Sequence, residues 1–506
     1  MKFYLLISFF IGYHLHVSAQ EKPNILVIIT DDHTMQAIGA YGSLYGVSSN
    51  IDRLAKEGAV FNRAFVTNSI CAPSRAVLLT GKYSHKNGHL DNRTSFNALQ
   101  DQFPKHMQQA GYQTAWIGKW HLDATPQGFD YWQILPGQGS YYNPDFITMS
   151  GEKKKIEGYC TNIITDLSTA WLIKRDTAKP FCLVVGHKAT HRTWMPDLTD
   201  LGTLDNIKFP LPENFYDDYT GRLAAQHQDM SIDKTLQLGY DLKMFSDTAD
   251  ISGVYKWLNP AQRKRFFSYY DSIRVDLEKR NLSGKDLTEW KYQRYMSDYL
   301  STAISLDRNV GRLIKYLEKN NLLNNTLIVY TSDQGFYLGE HGWFDKRFMY
   351  EESMRTPLII RYPPLIKKGT VLNDLVVNID LAPSFLQLAG MPVPSGMQGQ
   401  SILPLLRGEK KGNNWRKGVY YHYYEYPGEH SVYRHFGIRT DRYKLIRFYG
   451  PENFWELYDL RTDPLEMNNQ YGNKKYSGII KNLEKQLIDL IIQYDDKEAR
   501  KIISTN

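Results

Sequence analysis

The run Cys71-Ala72-Pro73-Ser74-Arg75 sets a nucleophile, a helix-starting residue and a fixed cation within about one turn of chain. Proline has no N–H to lose in a first helical turn, and the apolar run Ala76-Val77-Leu78-Leu79 predicts a helix that Gly81 ends. Cys71 then sits where unpaired N–H groups and the helix dipole favour negative charge, with Arg75 four residues on along the same face. A cysteine so placed reads either as a low-pKa thiolate nucleophile or as a half-buried structural thiol.

Other reactive residues follow buried strands. Ile25 to Ile29 runs into Thr30-Asp31-Asp32-His33, and Leu327 to Tyr330 into Thr331-Ser332-Asp333-Gln334-Gly335. Open α/β sheets bind ligands at the carboxyl ends of strands, although Asp31 and Asp32 also suit a turn or a helix cap. Asp31, Asp32, Asp333 and Gln334 offer oxygen alone, a set better matched to Ca²⁺ than to Zn²⁺. The strand Gln113 to Ile117 leads to Gly118-Lys119-Trp120-His121. In extended chain Lys119 and His121 project to one face, as anion binding and proton transfer would require. Phe181 to Val185 leads likewise to His187 and His191, and a glycine-bearing loop, Gly339 to Lys346, carries one more lysine.

Cys71-x-Pro73-Ser74-Arg75 followed by Leu79-Thr80-Gly81 resembles the signature of the type I sulfatases, in the alkaline-phosphatase superfamily, whose cysteine is oxidised after translation to Cα-formylglycine. Matching pieces recur in order from Asn24 to about Gly408, and a family-like tail follows. The resemblance implies that Cys71 becomes 3-oxoalanine (formylglycine), whose hydrate attacks sulfur with one hydroxyl and expels sulfate with the second. It implies that Arg75 and Lys119 hold the hydrate and sulfate, that His121 is the base for sulfate elimination, and that His191 and Lys346 bind sulfate and assist the leaving oxygen. One Ca²⁺ is implied at Asp31, Asp32, Asp333 and Gln334, with the modified Cys71 also at the metal. A formylglycine-generating maturation enzyme is the implied partner. Relatives that hydrolyse phosphomonoesters bind two zinc ions through extra histidines, and no such cluster adjoins these ligands in the sequence.

The likeness is greatest to exported bacterial carbohydrate sulfatases of the N-acetylglucosamine-6-sulfatase type. It implies a sulfated oligosaccharide of the glycosaminoglycan or mucin class, with the 6-O-sulfate of N-acetylglucosamine or glucosamine as the target. Sulfatases of the 4-O or 2-O position, and phosphonate monoester hydrolases or phosphodiesterases of the same superfamily, are the alternatives. Within Tyr421 to His435, Glu429, His430, Arg434 and His435 are the expected sugar contacts; the competing reading is that this segment docks the C-terminal domain.

Elements must position these residues. At 506 residues two domains are expected. Met1 to Ala19 reads as a signal peptide, with Lys2, the apolar stretch Leu5 to Ile11 and the small-residue site Val17-Ser18-Ala19, which implies export to the periplasm or beyond. Residues 20–395 read as the catalytic domain and 396–506 as a linker and C-terminal subdomain. Strands alternating with helices predict an α/β fold: a large mixed, mostly parallel sheet sandwiched by helices, with a smaller α+β domain of antiparallel sheet and one helix. Residues 198–287 read as an insertion near the site, for specificity or for packing. No internal run is long enough to span a membrane. The net charge of +7 is scattered, without the stripe expected of a nucleic-acid binder. Besides Cys71 there are Cys160 and Cys182, which could pair or stay free.

Overall fold

Seven consecutive buried residues, Asn24–Thr30, form a central strand of a ten-stranded sheet. The structure is a computed structural model and describes residues 22–246, 253–409 and 415–504; the signal-peptide reading lies outside them. Asn24–Thr30 pairs in parallel with Thr326–Ser332 on one side and Phe181–Gly186 on the other. Phe181–Gly186 pairs with Gln113–Lys119, and that with Tyr131–Leu135, also in parallel. Antiparallel pairings add Leu358–Arg361 and Ala59–Phe61 on one side and Asp145–Thr148 and Lys153–Lys155 on the other, and Thr370–Leu372 pairs in parallel with Ala59–Phe61 as the tenth strand.

Alternation along the central strand supplies both layers of core. Ile25, Val27 and Ile29 face Ala72, Ala76, Leu79, Phe103 and Phe385. Leu26 and Ile28 face Ile164, Val310, Leu313 and Leu317. A parallel strand buried on both faces has to be apolar in its interior, and this one is from Ile25 to Ile29. The apolar positions from Met296 to Leu317 form the buried stripe of a long helix, Gly284–Lys319. Asp380 makes no side-chain cap to the helix Leu381–Leu388. Its carboxylate instead accepts from the Val377 and Gln400 N–H groups at 2.9 and 2.8 Å and pairs with Arg416. Met397, Ile402, Leu403 and Leu406 pack into the first core layer.

The second sheet is antiparallel, in the order Gly418–Tyr423, Arg434–Thr440, Tyr443–Tyr449, Phe454–Asp459. The helix Ser477–Gln493 covers it with Leu483, Leu487 and Ile491, and a short helix, Lys497–Ser504, follows. Residues 198–287 contribute Leu204, Phe209, Tyr255, Phe266 and Tyr270 to one cluster with Trp194, Tyr295 and Phe344, so much of the insertion is packing. All three cysteines are buried and unpaired. Among the described residues no helix is long and apolar enough to cross a membrane.

Candidate active site

Four adjacent parallel strands end on the same edge of the large sheet. Across it they run Thr326–Ser332, Asn24–Thr30, Phe181–Gly186, Gln113–Lys119. Their ends bring Asp333 and Gln334, Asp31 and Asp32, His191, and Lys119 to one place. Backbone bonds lock the turns together: the Asp31 N–H donates to the Ala189 carbonyl at 3.1 Å, and the Asp333 N–H to the Thr30 carbonyl at 3.1 Å. Asp32 is held at φ +66°, a conformation costly for a residue with a Cβ and concentrated at functional sites.

Carboxylate oxygens of Asp31, Asp32 and Asp333 lie within 4.8 Å of one another, all buried. Gln334 Nε2 donates to Asp32 Oδ1 at 2.6 Å and lies 3.4 Å from Cys71 Sγ. Asp31 Oδ1 and Gln334 Oε1 are buried without a hydrogen-bond partner among the described residues. Buried acceptors are costly unless something satisfies them. Three carboxylates at this spacing fit a hard cation such as Ca²⁺, and a turn of the Gln334 amide would add its unpartnered oxygen. Electrostatics agree. Burial, with Asp31 beside it, pushes Asp333 up to about 7. Burial and the Asp31 charge push Asp32 up to about 6 against the pull of Lys346. Burial would also raise Asp31, but Lys119 and Arg75 hold it well below the ordinary carboxylate range.

Cys71 opens the helix Cys71–Thr80, with Ile70 extended before it and Gly81 closing it at φ +62°. Ser74 Oγ donates to the Asp333 carbonyl, and Asn378 Nδ2 to Ser74 Oγ at 3.0 Å. The second sheet also holds the helix start. Tyr421 Oη accepts the Ser69 N–H at 3.1 Å and donates to the Arg347 carbonyl at 2.8 Å. The low-pKa thiolate reading is corrected here. Cys71 is only 1% exposed, and burial with the nearby Asp31 charge pushes its thiol above its ordinary value despite the helix N-terminus.

The cations are committed to acids. Arg75 Nε and Nη2 lie 3.0 and 2.9 Å from Asp333 Oδ2, and Nη1 donates to the Lys119 carbonyl at 3.0 Å. Lys119 Nζ bonds Asp31 and donates to Gln138 Oε1 at 2.6 Å. Lys346 Nζ lies 2.7 and 2.6 Å from the two oxygens of Asp32. His121 does not continue the extended chain expected after Lys119; at φ +61° it turns off the strand, and its buried Nδ1 has no partner among the described residues. Burial and Lys119 keep His121 neutral, well below its ordinary value. Burial does the same for His191, despite the opposing pull of Asp31. His191 Nδ1 donates to the Arg192 carbonyl at 2.7 Å, which leaves Nε2 as the acceptor. Its ring, Asp31 and Cys71 also lie within 4.8 Å. His121 and His191 are half-buried while Cys71, Arg75, Lys119 and Lys346 are buried, so the two imidazoles mark the mouth.

Beside Lys346 stands a charged cluster that residue spacing does not reveal. Asp345 and Arg347 flank the lysine at φ +77° and +96°, and His430 stands at φ +71°. His430 Nε2 bonds Asp345 Oδ2 at 3.0 Å. Arg347 Nη1 donates to Glu425 at 2.7 Å, and Nη2 to the exposed Glu429 at 3.4 Å. Its signal in the chain is the unbroken run Asp345-Lys346-Arg347, of which the family resemblance singles out the lysine alone. Glu429 and His430 join this cluster, but Arg434 and His435 do not. Alternation along Arg434–Thr440 sends them to opposite faces of the second sheet. Arg434 lies over Tyr449, whose hydroxyl binds His422 and Glu498 on the helical side. His435 is 0% exposed between Tyr421, Tyr423 and Phe448, with no surface for a sugar. His435 is corrected to a packing residue, and half-buried Arg434 stands apart from the Asp345–His430 cluster.

Comparison with known proteins gives a consistent picture. Residues 23–391 match the Sulfatase family, and residues 339–493 match the C-terminal family of N-sulphoglucosamine sulphohydrolase. The N-acetylglucosamine-6-O-sulfatase of Bacteroides thetaiotaomicron is 51% identical over 490 residues, covering 94% of this chain and 88% of that protein. The human N-acetylglucosamine-6-sulfatase is 29% identical, covering 81% of this chain and 68% of its own. The structure of BT4656 in complex with its substrate D-glucosamine-2-N,6-O-disulfate has a TM-score of 0.92 at 50% identity, covering 94% of this chain and 99% of that one. The phosphonate monoester hydrolase of Agrobacterium radiobacter shares the fold, with a TM-score of 0.68 at 19% identity over 93% of this chain and 96% of that one.

Proposed function

The chain belongs to the sulfatase family and is a sulfuric ester hydrolase, and from that premise we propose that it removes the 6-O-sulfate of N-acetylglucosamine or glucosamine units in glycosaminoglycan or mucin-type sugars. The observation that carries the substrate is the 51% identity to a protein named for that activity, sustained over 94% of the chain. It covers the sulfate end of the site and the Asp345–His430 cluster alike.

Asp31, Asp32, Asp333 and Gln334 hold one Ca²⁺ in this reading, with modified Cys71 beside it. A cation held there would supply positive charge to sulfate oxygens and to the hydrated aldehyde derived from Cys71. Arg75 opposes the upward push of burial on Asp333 and aims its carboxylate through a two-nitrogen contact. Lys119 and Lys346 place positive charge where sulfate charge must be held. Lys346 Nζ, a proton donor, serves the leaving sugar oxygen, and His191 assists once its Nε2 carries a proton; His121 takes the proton that accompanies sulfate release. Asp345, Arg347, Glu429 and His430 read the sugar, where paired polar groups reject an analogue lacking its hydroxyls. Export after cleavage near Ala19, and maturation of Cys71 by a formylglycine-generating enzyme, complete the reading.

The test is sulfate release from a panel of monosulfated sugars, with protein produced alongside the maturation enzyme. Turnover of 6-O-sulfated N-acetylglucosamine and of glucosamine-2-N,6-O-disulfate, with little on 4-O- or 2-O-sulfated sugars or phenyl phosphonate, is expected. A preference for any of the latter overturns the substrate assignment.

A further inference from the structure

Beyond the mouth of the site lies a cleft of about 360 Å³ lined by Gln138, Ser140, Asp145, Tyr240, Lys256 and Trp257. Two links tie it to the reacting centre. Gln138 Oε1, on its wall, accepts from Lys119 Nζ at 2.6 Å. Tyr240, on another wall and 38% exposed, carries the Arg192 guanidinium over its ring at 5.8 Å, and Arg192 follows His191 directly. Arg192 also feels Asp345 and Glu429 across the mouth.

The aromatic walls are fixed in place. Tyr255 is 0% exposed and donates its hydroxyl to the Tyr240 carbonyl at 2.5 Å. Asn143 Nδ2 donates to the Trp257 carbonyl at 2.6 Å and to Gln262 Oε1 at 2.6 Å. Trp257 is half-buried and lines the cleft. Around it the charge is mostly positive. Lys155 lies over the Trp257 ring at 5.2 Å, Lys256 is exposed beside it, and Lys153, Lys154 and Lys155 form an exposed edge strand. Asp145 is the acid of the lining and offers an acceptor for hydroxyls.

We propose that this cleft is a second sugar subsite, holding the residue next to the sulfated glucosamine and preferring one that bears an anionic group, a carboxylate or a sulfate. Rigid aromatic faces stack on sugar rings at little entropic cost, and flexible lysines read an anion without demanding its exact position. A groove holding two linked sugars favours a chain over a free monosaccharide. The inference rests on the sulfatase reading above and adds to it the length and charge of the substrate.

The experiment compares kcat/KM on three substrates: 6-O-sulfated N-acetylglucosamine, a disaccharide joining it to a uronic acid, and the same disaccharide with its carboxylate reduced. The expected order is uronate disaccharide, reduced disaccharide, monosaccharide, spanning on the order of tenfold. Trp257→Ala should abolish the preference for both disaccharides and leave the monosaccharide unchanged. Lys256→Ala should lower only the uronate disaccharide. Equal rates on all three substrates in the wild type, or equal losses on all three in Trp257→Ala, overturn the proposal. Should no 6-O-sulfated sugar be turned over, the substrate reading fails instead, and titration with the desulfated uronate disaccharide still decides the cleft. Binding weakened by Trp257→Ala supports it, and absent or unaltered binding overturns it.

Discussion

Lys346 lies 2.7 and 2.6 Å from the two carboxylate oxygens of Asp32, with its side chain 4% exposed and that of Asp32 0%. The partners are 314 residues apart in the chain. Each is what makes the other tolerable, since stripping one member from a buried ion pair costs roughly 3–5 kcal/mol. Lys346→Met should therefore lower the melting temperature as well as kcat, the latter by about 100-fold or more. Unchanged turnover of an aryl sulfate by Lys346→Met would remove the lysine from the mechanism.

Removing metal should act through the neighbouring acid. Asp333→Ala takes away one oxygen of the cluster and releases the two-nitrogen grip of Arg75. Metal analysis should show one Ca²⁺ per wild-type chain and none in the variant, with activity lost in step. Chelation of the wild type should reproduce the loss, and added Ca²⁺ should reverse it. Full activity after exhaustive chelation would sink the metal assignment.

Cys71 is buried with its thiol pushed above its ordinary value, so the unmodified residue is a poor nucleophile. Mass spectrometry of the peptide spanning Cys71 should show sulfur and two hydrogens exchanged for one oxygen, or the hydrate of that product. Cys71→Ser should keep the wild-type melting temperature and lose turnover. An active enzyme carrying only unmodified cysteine would contradict this.

The loop residue His430 and the strand residues Arg434 and His435 separate specificity from packing. His430→Ala should reduce kcat/KM on the sulfated sugar by about 10-fold or more, while an aryl sulfate, which has no sugar hydroxyls, is hydrolysed as before. Arg434→Ala should alter neither substrate. His435→Ala should lower stability by roughly 1–3 kcal/mol through the space it leaves between aromatic rings. Parallel losses on sugar and aryl sulfate in His430→Ala would place that residue with the structural set.

Glu456 provides a pH test remote from the candidate metal ligands. Burial pushes its carboxyl up to about 7, although Tyr350 and Tyr458 donate to it at 2.9 and 2.8 Å. The folded state therefore binds a proton that the unfolded state has already released, so this contribution is full below the ordinary glutamate value and is lost as pH rises through about 7. The melting temperature should fall across that window by a few degrees, and Glu456→Gln should flatten the fall. A wild-type profile that rises from pH 5 to 8, or one unchanged by Glu456→Gln, would contradict the assignment.

The amino-acid sequence alone carries what is local. The apolar run Ile25 to Ile29, the helix start at Pro73 and its end at Gly81 follow from spacing and from two residues with restricted or permissive φ. So do the positions of Asp31, Asp32, Asp333 and Gln334, because a buried parallel strand must stop before it can expose polar side chains. The family is legible for the same reason: its signature lies in one turn of helix. Tertiary structure decides the rest. Extended chain implies that Lys119 and His121 share a face, but His121 has a positive φ and leaves the extended chain, reaching the site from the turn. Arg434 and His435 are equivalent as neighbours in the chain, yet strand register sends one towards the helices and the other into the aromatic core. The helix dipole argues for a thiolate at Cys71, whereas burial beside Asp31 argues more strongly for the thiol. Asp345, Arg347 and His430 converge only because the second sheet folds back on the loop after Gly339. Spacing along a chain sets which way a side chain leaves its own backbone; register, burial and the charge of distant residues set what it meets.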